Sequence, residues 1–231
     1  MHATFERGPL APSAPPERTF PLVRHLSYRL TPALVRLPVT ANQITAASLV
    51  AGLGCAWCYM QGGRVWALGG SALFILCYVL DNCDGEIARL KGLQSDFGMR
   101  LDSFTDWLVH TAFFVALGIG IGKESGEDLW LWLGWLAAAG ATINHILVLT
   151  LDARSDSEHD PERAASFEPA TPDRVGKAVY IYRELLRADF CFVLLLLTLF
   201  EVTRFLLPVA AIGTQLYWAM ALTKGARDHH L

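Results

Sequence analysis

Along this chain the apolar residues gather into six windows free of Asp, Glu, Lys and Arg: 44–60, 65–80, 107–122, 129–151, 190–200 and 205–223. A hydrocarbon layer ~30 Å thick takes about 20 helical residues to cross. Windows 129–151 and 205–223 meet that length unaided, whereas the shorter ones must recruit flanking turns. Windows 65–80 and 107–122 have sixteen residues each, which is only ~24 Å at 1.5 Å per residue. In both, the missing turn lies on the side of the polar stretch 81–106. The pattern predicts an all-α, polytopic membrane protein with six transmembrane helices. A large soluble core is a poor alternative, because too little chain remains to cover so much apolar surface.

Residues 20–37 carry a different period. Val23, Leu26, Leu30, Leu34 and Leu37 recur every three or four positions, with Arg24, Arg29 and Arg36 off that stripe. This predicts an N-terminal amphipathic juxtamembrane helix on the cytoplasmic leaflet, its arginines meeting lipid phosphates. An ordinary helix packed on the bundle fits the same pattern. Pro32 is expected to split it in two, with Thr31 capping the second piece. Residues 1–19 are Pro-rich and polar, which predicts a disordered cytoplasmic tail with no cleavable signal peptide. The expected layout is then a six-helix domain over 38–224, containing a hydrophilic cytoplasmic loop at 152–177, and a short tail at 225–231. His159 in that loop reads as a solvated side chain. The proline of "LPVA", Pro208, permits a kink near the start of the sixth helix.

Composition agrees: 53% of the 231 residues are hydrophobic and 18% are charged. The net charge of -3 says less than the placement of the basic residues. If the N-terminus is cytoplasmic and six helices alternate, sixteen Lys and Arg lie inside against three outside, Arg64, Lys123 and Arg204. The positive-inside rule then puts both termini and the 81–106 stretch on the cytoplasmic side, in a prokaryote of the inner or plasma membrane. Cys55 and Cys58 form a CxxC, but together with Cys77, Cys83 and Cys191 they lie in or beside apolar segments and read as packing residues.

The chemistry concentrates in "DNCDGEIARLKGLQSDFGMRLDSFTD", residues 81–106. Asp81 and Asp84 are i and i+3, and Asp102 and Asp106 are i and i+4, so each pair shares a helical face. Helix 3 must return beside helix 2, which brings the two faces together. Four carboxylates at a membrane edge need compensation. They form a site for hard divalent cations, Mg²⁺ or Mn²⁺. Two such ions ~4 Å apart would clamp a phosphoryl group. Gly85, Ala88 and Gly98 leave room for a ligand near the backbone, and Arg89 places a cation suited to phosphate beside the carboxylates. His110, one turn beyond Asp106, either orients that carboxylate or simply packs.

The spacing D-x-x-D-G-x-x-A-R, eight residues, then G-x-x-x-D-x-x-x-D resembles the signature of the CDP-alcohol phosphotransferases. It reads here Asp81, Asp84, Gly85, Ala88, Arg89, Gly98, Asp102 and Asp106, with 90–97 as the gap. The six-helix layout resembles the family over about residues 20–224. The resemblance implies that an alcohol hydroxyl attacks the β-phosphorus of a CDP-linked donor, often CDP-diacylglycerol, and that CMP leaves. It implies metal ligation by Asp81, Asp84 and Asp102, with Asp106 contacting the second metal and acting as general base. It further implies donor contacts at Gly85, Ala88 and Arg89, and a homodimer. Many relatives enter the first helix with Pro-Asn-x-x-Thr; here Ala41 replaces the proline, while Asn42 and Thr45 keep the polar pair. Those two residues fit a nucleotide contact or helix capping equally well.

For the acceptor, Lys177, Arg183 and Arg187 lead into the fifth helix, with Arg187 deepest, beside Asp189. They suit a phosphorylated alcohol, though the positive-inside rule alone would also place them there. The "DGEIARLK" wording resembles the inositol-phosphate-using members, including those that join CDP-inositol to inositol phosphate. Inositol phosphate is the first expectation and glycerol phosphate the second, with no nucleic-acid partner. An intramembrane prenyltransferase also holds Mg²⁺ on helix-end aspartates, but its Asp-rich motifs lack the G-x-x-A-R spacing. A divalent-cation transporter would be expected to place its carboxylates at the midplane, without Arg89 beside them.

Overall fold

The computed structural model describes residues 21–155 and 189–228, and among these the ordered elements are helices without a strand. They are α1 (Val23–Val35), α2 (Ala41–Gln61), α3 (Arg64–Lys91), α4 (Asp96–Ser125), α5 (Leu129–Ser155), α6 (Phe190–Leu199), a single 3-10 turn (Thr203–Phe205) and α7 (Leu206–Asp228). Four helices among the described residues, α2 to α5, are long and apolar enough to cross a membrane. The described part of α6 has ten residues, or ~15 Å, too short to cross by itself. Residues 152–155, expected in the loop, continue α5 instead. Pro208 lies in the first turn of α7, where a missing N–H disturbs no intrahelical bond.

The helices bearing the signature outrun their apolar windows. α3 has 28 residues and α4 has 30, ~42 and ~45 Å. The aspartates therefore ride on turns continuous with membrane-crossing helices. Gly92 ends α3 at φ +63°, a left-handed conformation that suits glycine. There Leu93 N donates to Ala88 O at 2.9 Å, and Ser95 then caps α4 by accepting from Gly98 N at 3.1 Å. This tight connection turns the chain back so that α4 packs on α2 and α5 and meets α3 through side chains.

α2 and α4 run in the same direction with a steady register. The Asn42 side chain lies beside Gly98, Gly52 meets Val109, and Gly120 meets the Tyr59 carbonyl. A buried core of Phe74, Phe113, Leu117, Leu194 and Leu207 joins α3, α4, α6 and α7, with the Phe74 and Phe113 rings stacked at 5.2 Å. Tyr59 Oη shares hydrogen bonds with Ser71 at 2.7 Å and Thr198 at 2.6 Å, so these three buried hydroxyls satisfy one another. All five cysteines are buried and free, as packing residues should be. A Cβ on Gly120 would run into the Tyr59 backbone oxygen. Gly120→Ala is thus expected to cost about 1–3 kcal/mol, seen as a lowered Tm. An unchanged Tm would show that α2 and α4 are not held this closely.

α1 departs from expectation in two ways. Pro32 does not split it: one helix runs through Val35, and Thr31 is not a cap. Its most buried residues are Val23, Ser27 and Thr31, while Leu26 is 38% and Leu37 50% exposed. Leu30 and Leu34 do pack on the cluster of Val23, Ile44, Val79, Cys83 and Ile87. The reason is a polar partner on α3. Glu86 accepts from Ser27 Oγ at 2.8 Å and from Thr31 Oγ1 at 2.6 Å, so the hydroxyl face turns inward. That anchorage offsets what a proline costs in the last helical turn. Asp189 secures the other end by accepting from Leu22 N at 2.6 Å and Val23 N at 2.9 Å, which places a carboxylate at a helix N-terminus. Lys91 Nζ donates to the carbonyls of Leu37 and Val39 at 3.0 and 2.8 Å and pins the α1–α2 link to the end of α3.

Candidate active site

Two helices, α3 and α4, bring the signature aspartates together at one end of the bundle. Asp81 and Asp84 of α3 and Asp102 of α4 each offer a carboxylate oxygen, all within 4.8 Å of one another. Asp84 is buried, and Asp81 and Asp102 are half-buried. Two like charges ~5 Å apart repel by about 3 kcal/mol at an effective dielectric constant of about 20. Such a triplet calls for cationic compensation. Hard oxygen donors at this separation fit Mg²⁺ or Mn²⁺. Asp106 stands one turn beyond Asp102, outside the triplet, and interacts electrostatically with Asp81, Asp84 and Asp102. It is exposed.

The two polar residues of α2 belong to this end of the bundle. Thr45 Oγ1 lies 2.5 Å from Asp84 Oδ2 and 3.2 Å from the Ala41 carbonyl, so it orients the buried carboxylate. Asn42 Oδ1 would lie 3.3 Å from a Cβ on Gly98, which keeps the amide beside the glycine of the signature. Neither residue caps α2. That task falls to Thr40, which accepts from Gln43 N at 3.3 Å while Gln43 Oε1 accepts from Thr40 N at 3.0 Å. The capping explanation of Asn42 and Thr45 is therefore replaced. An S/T-x-x-Q box at Thr40–Gln43 was present in the sequence to find.

On α3, the guanidinium of Arg89 folds back over Gly85, with Nη1 3.4 Å from where a Cβ would stand. Arg89 is exposed, and a glycine at 85 leaves room for its guanidinium to fold back there. Ala88 lies on the same turn. His110 is a packing residue: Nε2 pairs with Tyr78 Oη at 2.9 Å and Nδ1 with the Asp106 backbone oxygen at 2.7 Å. It braces α3 against α4 without bonding the Asp106 carboxylate. His145 of α5, not singled out from the sequence, stacks on Trp107 at 5.4 Å and also interacts electrostatically with Asp106. Lys177, Arg183, Arg187 and His159 lie outside the described residues.

Membrane-length helices here carry an aspartate cluster at one end, an acidic site suited to a cation. Residues 38–223 match the CDP-alcohol phosphatidyltransferase family, and the chain belongs to that family. A bifunctional IPC transferase and DIPP synthase of Aquifex aeolicus is 35% identical over 119 residues, covering 51% of this chain and 25% of that protein. A phosphatidylinositol phosphate synthase of Corynebacterium glutamicum is 33% identical over 85 residues, covering 36% of this chain and 37% of its own. The matched segments thus span well under two thirds of either relative.

Proposed function

We propose that this protein transfers a substituted phosphate group from a CDP-alcohol, CDP-diacylglycerol first, to an alcohol acceptor with release of CMP, in phospholipid synthesis. The observation that carries it is the meeting of Asp81, Asp84 and Asp102 within 4.8 Å, with Thr45 bonded to Asp84 and Asn42 beside Gly98. Bound Mg²⁺ or Mn²⁺, in two sites, would neutralise phosphate charge and polarise the scissile diphosphate. Asp81, Asp84 and Asp102 hold that charge at a fixed place, and Thr45 orients Asp84. Asn42, Gly85, Ala88 and Gly98 admit the cytidine diphosphate, and Arg89 binds its phosphate oxygens. Asp106 takes the proton of the acceptor hydroxyl. The acceptor oxygen bonds to the β-phosphorus as the bond to CMP breaks, so positioning and electrostatics supply most of the rate.

The helices support a six-span arrangement in which α6 and α7 complete the four long spans. The charge asymmetry of the sequence supports a cytoplasmic site and cytoplasmic termini. Domain limits of 38–224 for the catalytic bundle, with tails at 1–19 and 225–231, follow from this reading, and a homodimer from the family. Among acceptors, inositol phosphate ranks first and glycerol phosphate second. One relative supports this order by its name, a phosphatidylinositol phosphate synthase. Lys177, Arg183 and Arg187 are the proposed acceptor contacts. An acceptor panel of inositol phosphate, glycerol phosphate, inositol, serine or none tests the order. Turnover with serine and not with either phosphate would overturn it.

Thr45→Val removes the hydroxyl that orients Asp84 and leaves a buried carboxylate oxygen without its donor. The expected result is ~10–100-fold weaker metal activation, read from the Mn²⁺ concentration for half-maximal CMP release. An unshifted concentration would remove Thr45 from the site.

A further inference from the structure

α1 precedes the segment that matches the family, yet its polar contacts reach the site-bearing end of α3. Over residues 81–89, α3 shows two faces. Asp81, Asp84, Gly85 and Arg89 belong to the site. Cys83, Glu86 and Ile87 are buried, and Cys83 and Ile87 pack in the cluster that Val23, Leu30 and Leu34 complete. Within that apolar wedge stands the carboxylate of Glu86, two residues from Asp84. Its hydrogen-bond donors are Ser27 and Thr31 of α1, while Cys83 Sγ lies 3.8 Å from the Ser27 carbonyl. Among the described residues no basic side chain forms an ion pair with it.

We propose that α1 is part of the active-site scaffold and that Glu86, held by Ser27 and Thr31, is the positioning residue that fixes the orientation of the Asp81–Asp84 turn. A buried carboxylate stripped of its donors is costly. The end of α3 would relieve that cost by rolling about its axis until Glu86 met water. Any such roll turns Asp84 through the same angle, and binding constellations tolerate only ~10–20°. The two hydroxyls stand four residues apart on one helical face, so they grip both carboxylate oxygens and oppose rotation in either sense. Asp189 at the N-terminus of α1 and Lys91 at the α1–α2 link hold α1 where it can act as that stop.

This inference rests on the metal reading of the aspartates, and Mn²⁺ binding to the full chain in nanodiscs, followed by electron paramagnetic resonance, separates the two. The expected result is ~10-fold weaker Mn²⁺ binding in Glu86→Ala, and a similar loss in the Ser27→Ala, Thr31→Val double variant. Combining all three changes is expected to add little, because they break one contact. Glu86→Gln, which keeps an acceptor oxygen for one hydroxyl, should recover most of the affinity. Leu117→Ala, a core cavity away from the cluster, should lower Tm without moving the Mn²⁺ affinity. The inference is overturned if the hydroxyl double variant binds Mn²⁺ like the wild type, or if Leu117→Ala weakens binding as much as the Glu86 change. Should Glu86→Ala fail to fold, the hydroxyl double variant decides. A wild-type protein that binds no Mn²⁺ overturns the metal reading and this inference with it.

Discussion

Asp106→Asn is expected to cut CMP release by ~10²–10⁴-fold, the usual contribution of a general base, while donor binding changes little. The amide keeps the shape of the carboxylate and can still accept a hydrogen bond, but it cannot take the acceptor proton. Asp106 stands apart from the triplet on the exposed side, where an acceptor can reach it. Its neighbours do not remove it from that task, because His110 bonds its backbone carbonyl and, like His145, reaches the carboxylate only electrostatically. The variant should therefore retain Mn²⁺ and bind a non-reactive CDP-alcohol close to wild type. The check is steady-state CMP release beside equilibrium binding of that analogue. Wild-type turnover would remove the base from Asp106, and loss of analogue binding would make the residue a ligand-holding one instead.

Asp84→Asn is expected to act through the cation. Asp84 is the most buried member of the triplet, at 5% exposure, and it alone bonds the Thr45 hydroxyl at 2.5 Å. Removing its charge takes away a third of the negative charge of the triplet and leaves its partner's orientation without purpose. Outer partners of a metal site cost 10–100-fold in affinity when lost, so loss of a ligand should exceed ~100-fold. The expected outcome is no detectable Mn²⁺ binding at concentrations that saturate the wild type, and no CMP release. Binding retained with activity lost would move Asp84 out of the ligand set. The two substitutions thus separate on one axis: Asp84→Asn loses the ion held by the triplet, whereas Asp106→Asn, outside the triplet, keeps that ion.

Much of the architecture was legible in the spacing of charged and apolar positions. The uncharged windows mark the cores of α2 to α5, and the i, i+3 and i, i+4 aspartates share faces as helical geometry requires. What the sequence hid are long-range polar contacts. The leucine period of 20–37 marks only part of the inward face, since Val23, Leu30 and Leu34 pack while Leu26 and Leu37 stay exposed. An apolar stripe is a full guide to burial only when no buried polar partner competes. Here Glu86 competes, and it lies 59 residues from Ser27 and 55 from Thr31. No local pattern links them. In the sequence Asp189 stands only as a neighbour of Arg187, yet it accepts from the amides at the start of α1, 166 and 167 residues away. At α2 the failure was of another kind. The Thr40–Gln43 box was local and readable, and seeing it would have freed Thr45 for the bond to Asp84.

The measurement closest to the central claim is CMP release by the full chain in lipid nanodiscs supplied with CDP-diacylglycerol, inositol phosphate and Mg²⁺ or Mn²⁺. The account predicts CMP in step with a new phosphodiester lipid, abolished by a chelator and restored by the cation. Folded protein that forms no CMP with CDP-diacylglycerol, CDP-inositol or any other CDP-alcohol would contradict it.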